Sequence, residues 1–380
     1  MNTLTITKKL VSIPSYVNEE CNEKEIGKFI YKYLQKNTGL IVKKDIVEKN
    51  RFNIVAYSKN CLQNGRFEVD TLFINHIDTV EPKQGNRYGP FLGVVKNGRL
   101  YGLGACDTKA NVAVLMKLAE RVKNQKIMFL FYIDEEYDFK GIKAFTKKYK
   151  NRLKVSEIIS ADGEDLKIRN ACRGLIEFDI QCIGKTGHSA NSKNGASVIS
   201  GFYKTIVEVE EYLKKNSDPL LGQTTMNISY LRAGLFLFKK NKEVLLGKNG
   251  NNIADYLNAT IELRINRQFD LDEFLQNLKV WLKDEKLSTE ALTLRFNFKP
   301  WLTEKDKLKR IFRKLKKNSI KPEFTNPAKT GYVDIALLNE VFNSECYCIG
   351  VSGKNRHGID EWVDIKSVSK LEKVLIDLIT

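Results

Sequence analysis

Three short apolar segments in the first half of the chain predict strands that are buried on both faces. They lie at 71–75, 127–133 and 155–159. The first two have too continuous an apolar character for half-exposed strands, which is typical of central strands in a parallel sheet. The nearby segments with helical periodicity are 24–34, 109–122 and 141–149. This alternation of strands and helices predicts an α/β sandwich with a largely parallel sheet.

The pattern changes near residue 173. Segments 175–183 and 259–265 alternate between apolar and polar residues, which predicts strands of a sheet with one solvated face. Two helical segments, at about 197–215 and 271–283, would cover the other face. This is the pattern of a compact α+β unit inserted into a larger fold.

The α/β pattern returns after about residue 298. A helix is expected near 307–317, a strand at 345–349 and a final helix from Ile365. We therefore predict one α/β domain made of two pieces, with an inserted domain between them. The predicted boundaries are 1–172, 173–297 and 298–380.

Composition narrows the class of protein. The chain has 380 residues, 42% of them hydrophobic and 29% charged, which is typical of a soluble globular protein. No apolar run reaches the ~18 residues of a membrane span, and the N-terminus lacks the apolar core of a secretory signal. The seven cysteines contain no CxxC pair. They suggest reduced core thiols, and hence a cytoplasmic protein.

The formal net charge is +17, which leaves two interpretations open. The charge could attract an acidic partner, or it could reflect lysines spread over solvated faces. The densest basic segment, 307–317, has apolar residues at helical spacing and predicts an amphipathic helix with a basic outer face. No aromatic and basic recognition motif accompanies the charge, so binding to nucleic acid is not expected.

Chemically competent side chains follow the predicted strands. His76 comes directly after the first strand. The His-x-Asp spacing allows the carboxylate of Asp78 to contact the His76 ring and hold its orientation. Asp107 follows two glycines in a Gly-x-Gly-x-x-Asp-x-Lys sequence, just before a helix. Taken alone, His76 could be structural and Asp107 could be a helix N-cap. In open α/β sheets, however, sites form at the carboxyl ends of strands.

Carboxylates also follow the second and third strands. An acidic run at 134–136 includes Glu135 and Glu136, and adjacent acids at the end of a core strand are best explained by a cation. Asp162 and Glu164 follow the third strand, and His357 with Glu361 follow the last one. Such nitrogen and oxygen ligands suit Zn²⁺, although Co²⁺ or Mn²⁺ would also bind.

The order and spacing of these motifs resemble the di-zinc aminoacylase and carboxypeptidase family, which includes acetylornithine deacetylase and succinyl-diaminopimelate desuccinylase. The resemblance covers essentially the whole chain, from the 10–15 turn to His357 and Glu361. It implies a zinc-peptidase-like three-layer sandwich with a mostly parallel sheet, plus an inserted α+β lid domain. By this resemblance, the ligands of two zinc ions are His76, Asp107, Glu136, Asp162 and His357.

The resemblance also implies roles for these residues. Asp107 would bridge the two ions, Glu135 would be the general base, and Asp78 would support His76. The family's usual Glu-Pro-Thr is replaced here by Asp162-Gly-Glu164. Counting back from Arg173-Gly174 places Asp162 at the ligand position, but the choice between Asp162 and Glu164 stays open.

In the lid domain, the resemblance points to substrate-binding residues. His188 would donate to the developing oxyanion, Asn251 lies in the substrate-binding turn, and Arg264 would hold a substrate carboxylate. Because this histidine comes from the neighbouring subunit in dimeric relatives, a homodimer through the lid domain is expected. The segment 329–334 resembles the branch that deacetylates acetyl-lysine and acetylornithine.

These features predict a metal-dependent hydrolase that cleaves the amide bond of an N-acyl amino acid, with lysine or ornithine on an acidic carrier protein as one substrate class. Two alternatives stay open. One is a carboxypeptidase or small-peptide hydrolase of the same family, and the other is a binding protein that kept the fold without the metals.

Overall fold

The computed structural model describes residues 1–241 and 243–380, and the chain packs as two compact units. The first unit consists of Met1–Ala171, Leu302–Asn326 and Val333–Thr380. The second unit consists of Cys172–Trp301 and Pro327–Tyr332.

The first unit is built on a seven-stranded mixed sheet. Its four parallel strands lie side by side, which confirms the predicted α/β class with a mostly parallel sheet. Two antiparallel strands extend one side, and a two-residue strand, Leu62–Gln63, pairs with the beginning of Arg66–His76. The main strands, in sheet order, are Ile41–Glu48, Arg51–Tyr57, Ile127–Tyr132, Arg66–His76, Leu153–Ser160 and Glu345–Cys348.

The register of the parallel strands aligns their carboxyl ends. His76 is paired with Tyr132, and Ile74 is paired with Ser160. The strand Ile127–Tyr132 is buried at every position, as its continuous apolar sequence predicts. Side chains that follow His76, Tyr132 and Ser160 are therefore delivered to one edge of the sheet.

Helices of the first unit contribute to its apolar core. The helix after the Asp107 loop is buried almost all round, which fits its apolar composition. The basic segment does form an amphipathic helix, with Ile311 and Leu315 buried. The helices of this unit are Thr3–Val11, Lys24–Asn37, Ala110–Ala119, Lys140–Tyr149, Lys309–Lys317, Ile335–Phe342 and Ile365–Ile379.

A small antiparallel sheet holds two loops of the first unit near each other. Its strands, in order, are Gly353–Lys354, Trp362–Asp364, Arg99–Tyr101 and Val94–Lys96. The pairing of Trp362 with Tyr101 places the loop before Trp362 beside the loop that follows Tyr101. These two loops carry His357 and Asp107.

The second unit is an antiparallel five-stranded sheet that shares an apolar core with the helices Val198–Lys215 and Leu271–Asp284. Phe178, Phe202 and Phe274 are buried in this core. The strands, in sheet order, are Glu243–Gly247, Thr225–Lys240, Tyr256–Ile265, Gly174–Ile183 and Ser288–Phe298. The role of this unit as a lid stays a prediction.

Within the described residues, none of the helices combines the length and the apolar character needed to cross a bilayer.

Candidate metal centre

The predicted ligands of the first unit come from the aligned strand ends. His76 is the last residue of its strand, and it is almost completely buried. Glu135 and Glu136 follow the neighbouring strand after Asp134, whose φ of 69° turns the chain. Asp162 follows the third parallel strand, and its backbone N–H donates to the hydroxyl of Ser160 at 3.1 Å.

The Asp107 loop is held by a buried carboxylate. Glu361 is 2% exposed, and it accepts hydrogen bonds from the backbone N–H groups of Gly104, Cys106 and Asp107 at 2.7, 2.8 and 2.9 Å. Gly104 has a φ of +75°, and a Cβ there would lie 2.6 Å from Thr79. The second glycine of the motif is therefore required by both conformation and space.

The carboxylate of Asp107 lies between two histidines. Its Oδ1 is 3.4 Å from His76 Nε2, and its Oδ2 is 3.2 Å from His357 Nε2. The same His357 nitrogen is 2.9 Å from an oxygen of Glu136. One ligand atom each from His76, Asp107 and Glu136 lies within 4.8 Å of the other two, which is close enough for one cation to be bound.

Asp78 supports two of these groups. Its Oδ1 lies 3.5 Å from His76 Nδ1, and its Oδ2 accepts the backbone N–H of Glu136 at 2.9 Å. Asp78 therefore orients the His76 ring and fixes the backbone at Glu136, as expected for a carboxylate behind a metal ligand.

The acids of the centre hold the histidines in their protonated form. Hydrogen bonds with Asp107 and Glu136 raise the pKa of His357 to about 10. Burial opposes the charge on His76, but the nearby carboxylates of Asp107 and Asp78 raise its pKa well above the usual value. Burial also works against ionisation of Asp107, yet the two histidines hold its pKa well below the usual range. The carboxylates of the centre therefore favour positive charge on the two histidines.

A carboxylate that the motif analysis did not identify as a site residue lies in the same cluster. Asp334 is 2% exposed, and neither of its carboxylate oxygens has a hydrogen-bond partner among the described residues. Burial and then the charge of Asp334 raise the pKa of Glu135 well above its usual value. The signal in the sequence was the 329–334 segment, which marked the region without singling out this residue.

The environments of Asp162 and Glu164 differ. The side chain of Asp162 is 13% exposed, and its Oδ1 lies 3.7 Å from Arg356. The side chain of Glu164 is 41% exposed, and it lies 3.9 Å from Arg169. The charge of Asp162 also contributes to the raised pKa values of Glu135 and Asp334, so Asp162 lies near these two carboxylates. Arg356 carried no sequence signal except its position next to His357.

The predicted substrate residues lie in the second unit. Ser189, next to His188, donates its backbone N–H to the carbonyl of Asn251 at 2.8 Å, so these two segments are brought together. His188 Nδ1 accepts the backbone N–H of Ala190 at 3.2 Å, which leaves the ring proton on Nε2. Arg264 makes a bidentate ion pair with Glu262, in which Nε donates to Oε1 at 2.8 Å and Nη2 donates to Oε2 at 3.0 Å.

The donor set fits a metal centre. Two histidine nitrogens and several carboxylate oxygens are what Zn²⁺ binds, with Co²⁺ and Mn²⁺ as competent substitutes. The carboxylate between the two histidines offers one oxygen to each side, as a bridging ligand does.

The chain also matches a protein-family model and several known proteins. The model of peptidase family M20/M25/M40 matches residues 72–380. The chain is 27% identical to a succinyl-diaminopimelate desuccinylase of Helicobacter pylori (strain HPAG1), over 100% of this chain and 98% of that protein. It is 28% identical to an acetylornithine deacetylase of Buchnera aphidicola (subsp. Schizaphis graminum), over 61% of this chain and 62% of that protein.

Among solved structures, an M20 family metallo-carboxypeptidase from Sulfolobus solfataricus is similar in fold. The TM-score is 0.77 at 16% identity, and the match covers 100% of this chain and 98% of that structure.

Proposed function

This chain belongs to peptidase family M20/M25/M40, and we propose that it hydrolyses the amide bond of N-acyl amino acids with the help of two zinc ions. The observation that carries this proposal is the Asp107 carboxylate, which offers one oxygen to each of two histidines at the carboxyl edge of the sheet. His76 and Asp162 would hold one ion, while Glu136 and His357 would hold the other.

The bound ions would supply Lewis-acid chemistry, polarising the scissile carbonyl and lowering the pKa of the attacking water. Glu135 would take the proton of that water and pass it to the leaving amine. In the metal-free protein, burial and the charge of Asp334 raise the pKa of Glu135 well above its usual value. Asp78 would keep the His76 ring in its binding orientation.

The second unit would supply substrate contacts. His188 would donate from Nε2 to the developing oxyanion, since its Nδ1 is occupied as an acceptor. Asn251 would contribute from the neighbouring turn. Arg264 would bind a substrate carboxylate by exchanging its present partner, Glu262, for the substrate.

A substrate panel tests the reaction class. The metal-free protein is reconstituted with zinc, cobalt or manganese and then assayed on N-acetyl-ornithine, N-acetyl-lysine, N-succinyl amino acids, dipeptides and tripeptides. We expect metal-dependent release of the free amine from one or more N-acyl amino acids, and none from the chelated sample. Peptide hydrolysis alone would replace the proposal with a peptidase, the alternative favoured by the likeness to a metallo-carboxypeptidase.

A homodimer through the second unit is part of the proposal. This unit exposes apolar side chains on the helix Val198–Lys215, including Ile199 and Tyr203, and on the strand Thr225–Lys240, including Leu231. They line an apolar depression of about 330 Å³. Sedimentation of the wild type and of Tyr203→Asp tests it: the wild type should be a dimer and the variant a monomer, and a monomeric wild type would refute it.

The positive charge bears on the substrate class. A cytoplasmic acidic carrier presenting an acylated lysine or ornithine would be steered towards a protein of net charge +17. On the basic helix, Lys317 pairs with Asp377 and Arg310 pairs with Glu157, so these two side chains have acidic partners within the fold. Steering requires turnover of a carrier-linked substrate to fall as the Debye length shrinks from ~30 Å to ~8 Å. If turnover of a free N-acyl amino acid falls equally with salt, the steering idea is refuted and only the small-molecule activity remains.

A further inference from the structure

A guanidinium group lies inside the candidate metal centre. Arg356 immediately precedes His357, and its side chain is only 25% exposed. Its Nη1 lies 3.7 Å from Asp162 Oδ1, and its Nη2 donates to the carbonyl of Gly163 at 2.6 Å. Burial opposes its charge, but the carboxylates of Asp107 and Asp162 raise the pKa of Arg356 still further, so it is a permanent cation.

The backbone holds Arg356 and Asp162 together. A Cβ on Gly163 would lie 2.5 Å from the backbone of Ile349 and Gly350, so the Asp162 loop is packed directly against another chain segment. Arg356 is anchored to that loop through the Gly163 carbonyl. The ion pair is therefore part of the folded site rather than a contact between two mobile surface groups.

The two proposed ion positions differ in the cation that is paired with their carboxylate ligand. Glu136 is paired with His357, which loses its proton when it becomes a metal ligand. Asp162 is paired with a guanidinium that cannot lose its charge. Asp78 and Asp334 add negative charge near His76, so this half still attracts a cation. A divalent ion that binds Asp162 must nevertheless share that carboxylate with Arg356.

We propose that Arg356 acts as a built-in competitor for Asp162 and weakens the ion bound by His76 and Asp162. The proposal rests on the two-metal function described above. Its consequence is that this half of the centre fills at a higher metal concentration than the half formed by Glu136 and His357. The metal supply would then set the fraction of fully loaded enzyme.

Metal titration by calorimetry tests this directly. Metal-free full-length protein is titrated with Zn²⁺, and in a second series with Co²⁺, whose visible absorption reports on each site. Arg356→Met removes the charge and keeps most of the aliphatic stem, and it should tighten the weaker of the two dissociation constants by about tenfold or more. The tighter constant should change less than the weaker one, because Asp107 is shared by both ions whereas Asp162 belongs only to the weaker one.

Two variants serve as controls. Arg356→Lys keeps a positive charge near Asp162 and should stay closer to the wild type than Arg356→Met does. Arg66→Met removes one positive charge at the other end of the 11-residue strand that ends at His76. That position is roughly 33 Å away along the strand, so both constants should be unchanged. Thermal unfolding of each metal-free variant checks the fold, and Arg356→Gln replaces Arg356→Met if the latter unfolds.

The outcomes separate this proposal from the function itself. Two ions in the wild type, with the weaker one tightened in Arg356→Met, would support the competition. An unchanged constant would overturn it. A weakened constant would also overturn it and make Arg356 a positioning residue for Asp162. A wild type that binds no metal would instead refute the two-metal function.

Discussion

Replacing Glu361 tests how the protein holds the backbone that presents Asp107. One oxygen of Glu361 accepts the N–H groups of Cys106 and Asp107, and the other accepts that of Gly104. In Glu361→Gln, the amide oxygen can keep the first two bonds, but the NH₂ group then faces the Gly104 N–H. In Glu361→Ala, all three N–H groups lose their acceptor.

The structure sets the size of these effects. A buried donor left without an acceptor costs about 1–3 kcal/mol, so Glu361→Gln should lower the free energy of unfolding by that amount. Three such donors in Glu361→Ala should together cost about 3–5 kcal/mol. The cost is less than three times the largest single value because water that enters the space would hydrogen-bond to some of the N–H groups. Both variants should also bind metal more weakly, since the Asp107 backbone is no longer fixed.

Urea unfolding of the metal-free proteins measures these differences, and calorimetry measures metal affinity. Glu19→Gln, an exposed glutamate in the same unit, is the control and should change stability by less than about 0.5 kcal/mol. If Glu361→Ala loses less than about 1 kcal/mol, the three bonds do not hold the loop and the argument is wrong.

Three further predictions follow from the site. Glu135→Gln should keep its metal but lower turnover by about 10²–10⁴, because an amide cannot accept the proton; elemental analysis and single-turnover assays check both parts, and near-normal turnover would move the base elsewhere. Asp162→Ala should lower metal occupancy while Glu164→Ala should not, since Glu164 is 41% exposed and lies beside Arg169; the opposite result would reverse the assignment. His357 has its folded pKa raised from 6.5 to about 10, so its contribution to the stability of the metal-free protein is complete below pH 6.5 and is lost as the pH rises towards 10. Thermal unfolding between pH 6 and about 10 should show this decline in the wild type and a flatter profile in His357→Asn.

The strand ends were predictable because continuous apolar runs can only be buried strands or buried helices. His76, Glu135 and Glu136 each follow such a run, so the register of a parallel sheet brings them to one edge. Asp107 and His357 lie on loops without such a pattern. Their place in the centre was predicted from motif spacing and the family resemblance. The structure adds the hydrogen bonds to Glu361 that fix the Asp107 loop.

Other features were hidden because they depend on pairing between distant segments. The strand Arg51–Tyr57 is fully buried although it begins with an arginine, because Arg51 pairs with the buried carboxylates of Glu23 and Asp134. Part of the acidic run at 134–136 is thus balanced by a protein cation rather than by a metal. Asp334 shows the same limit, since only the fold reveals that neither of its oxygens has a hydrogen-bond partner among the described residues.

The metal content of the protein tests the account most directly. Protein that has been stripped with a chelator, reconstituted with zinc and freed of excess ions is measured by elemental analysis against chain concentration. The convergence of His76, Asp107, Glu136, Asp162 and His357 predicts about two ions per chain. A His76→Ala, His357→Ala double variant should retain almost none. No bound metal in the reconstituted wild type would contradict the two-metal hydrolase.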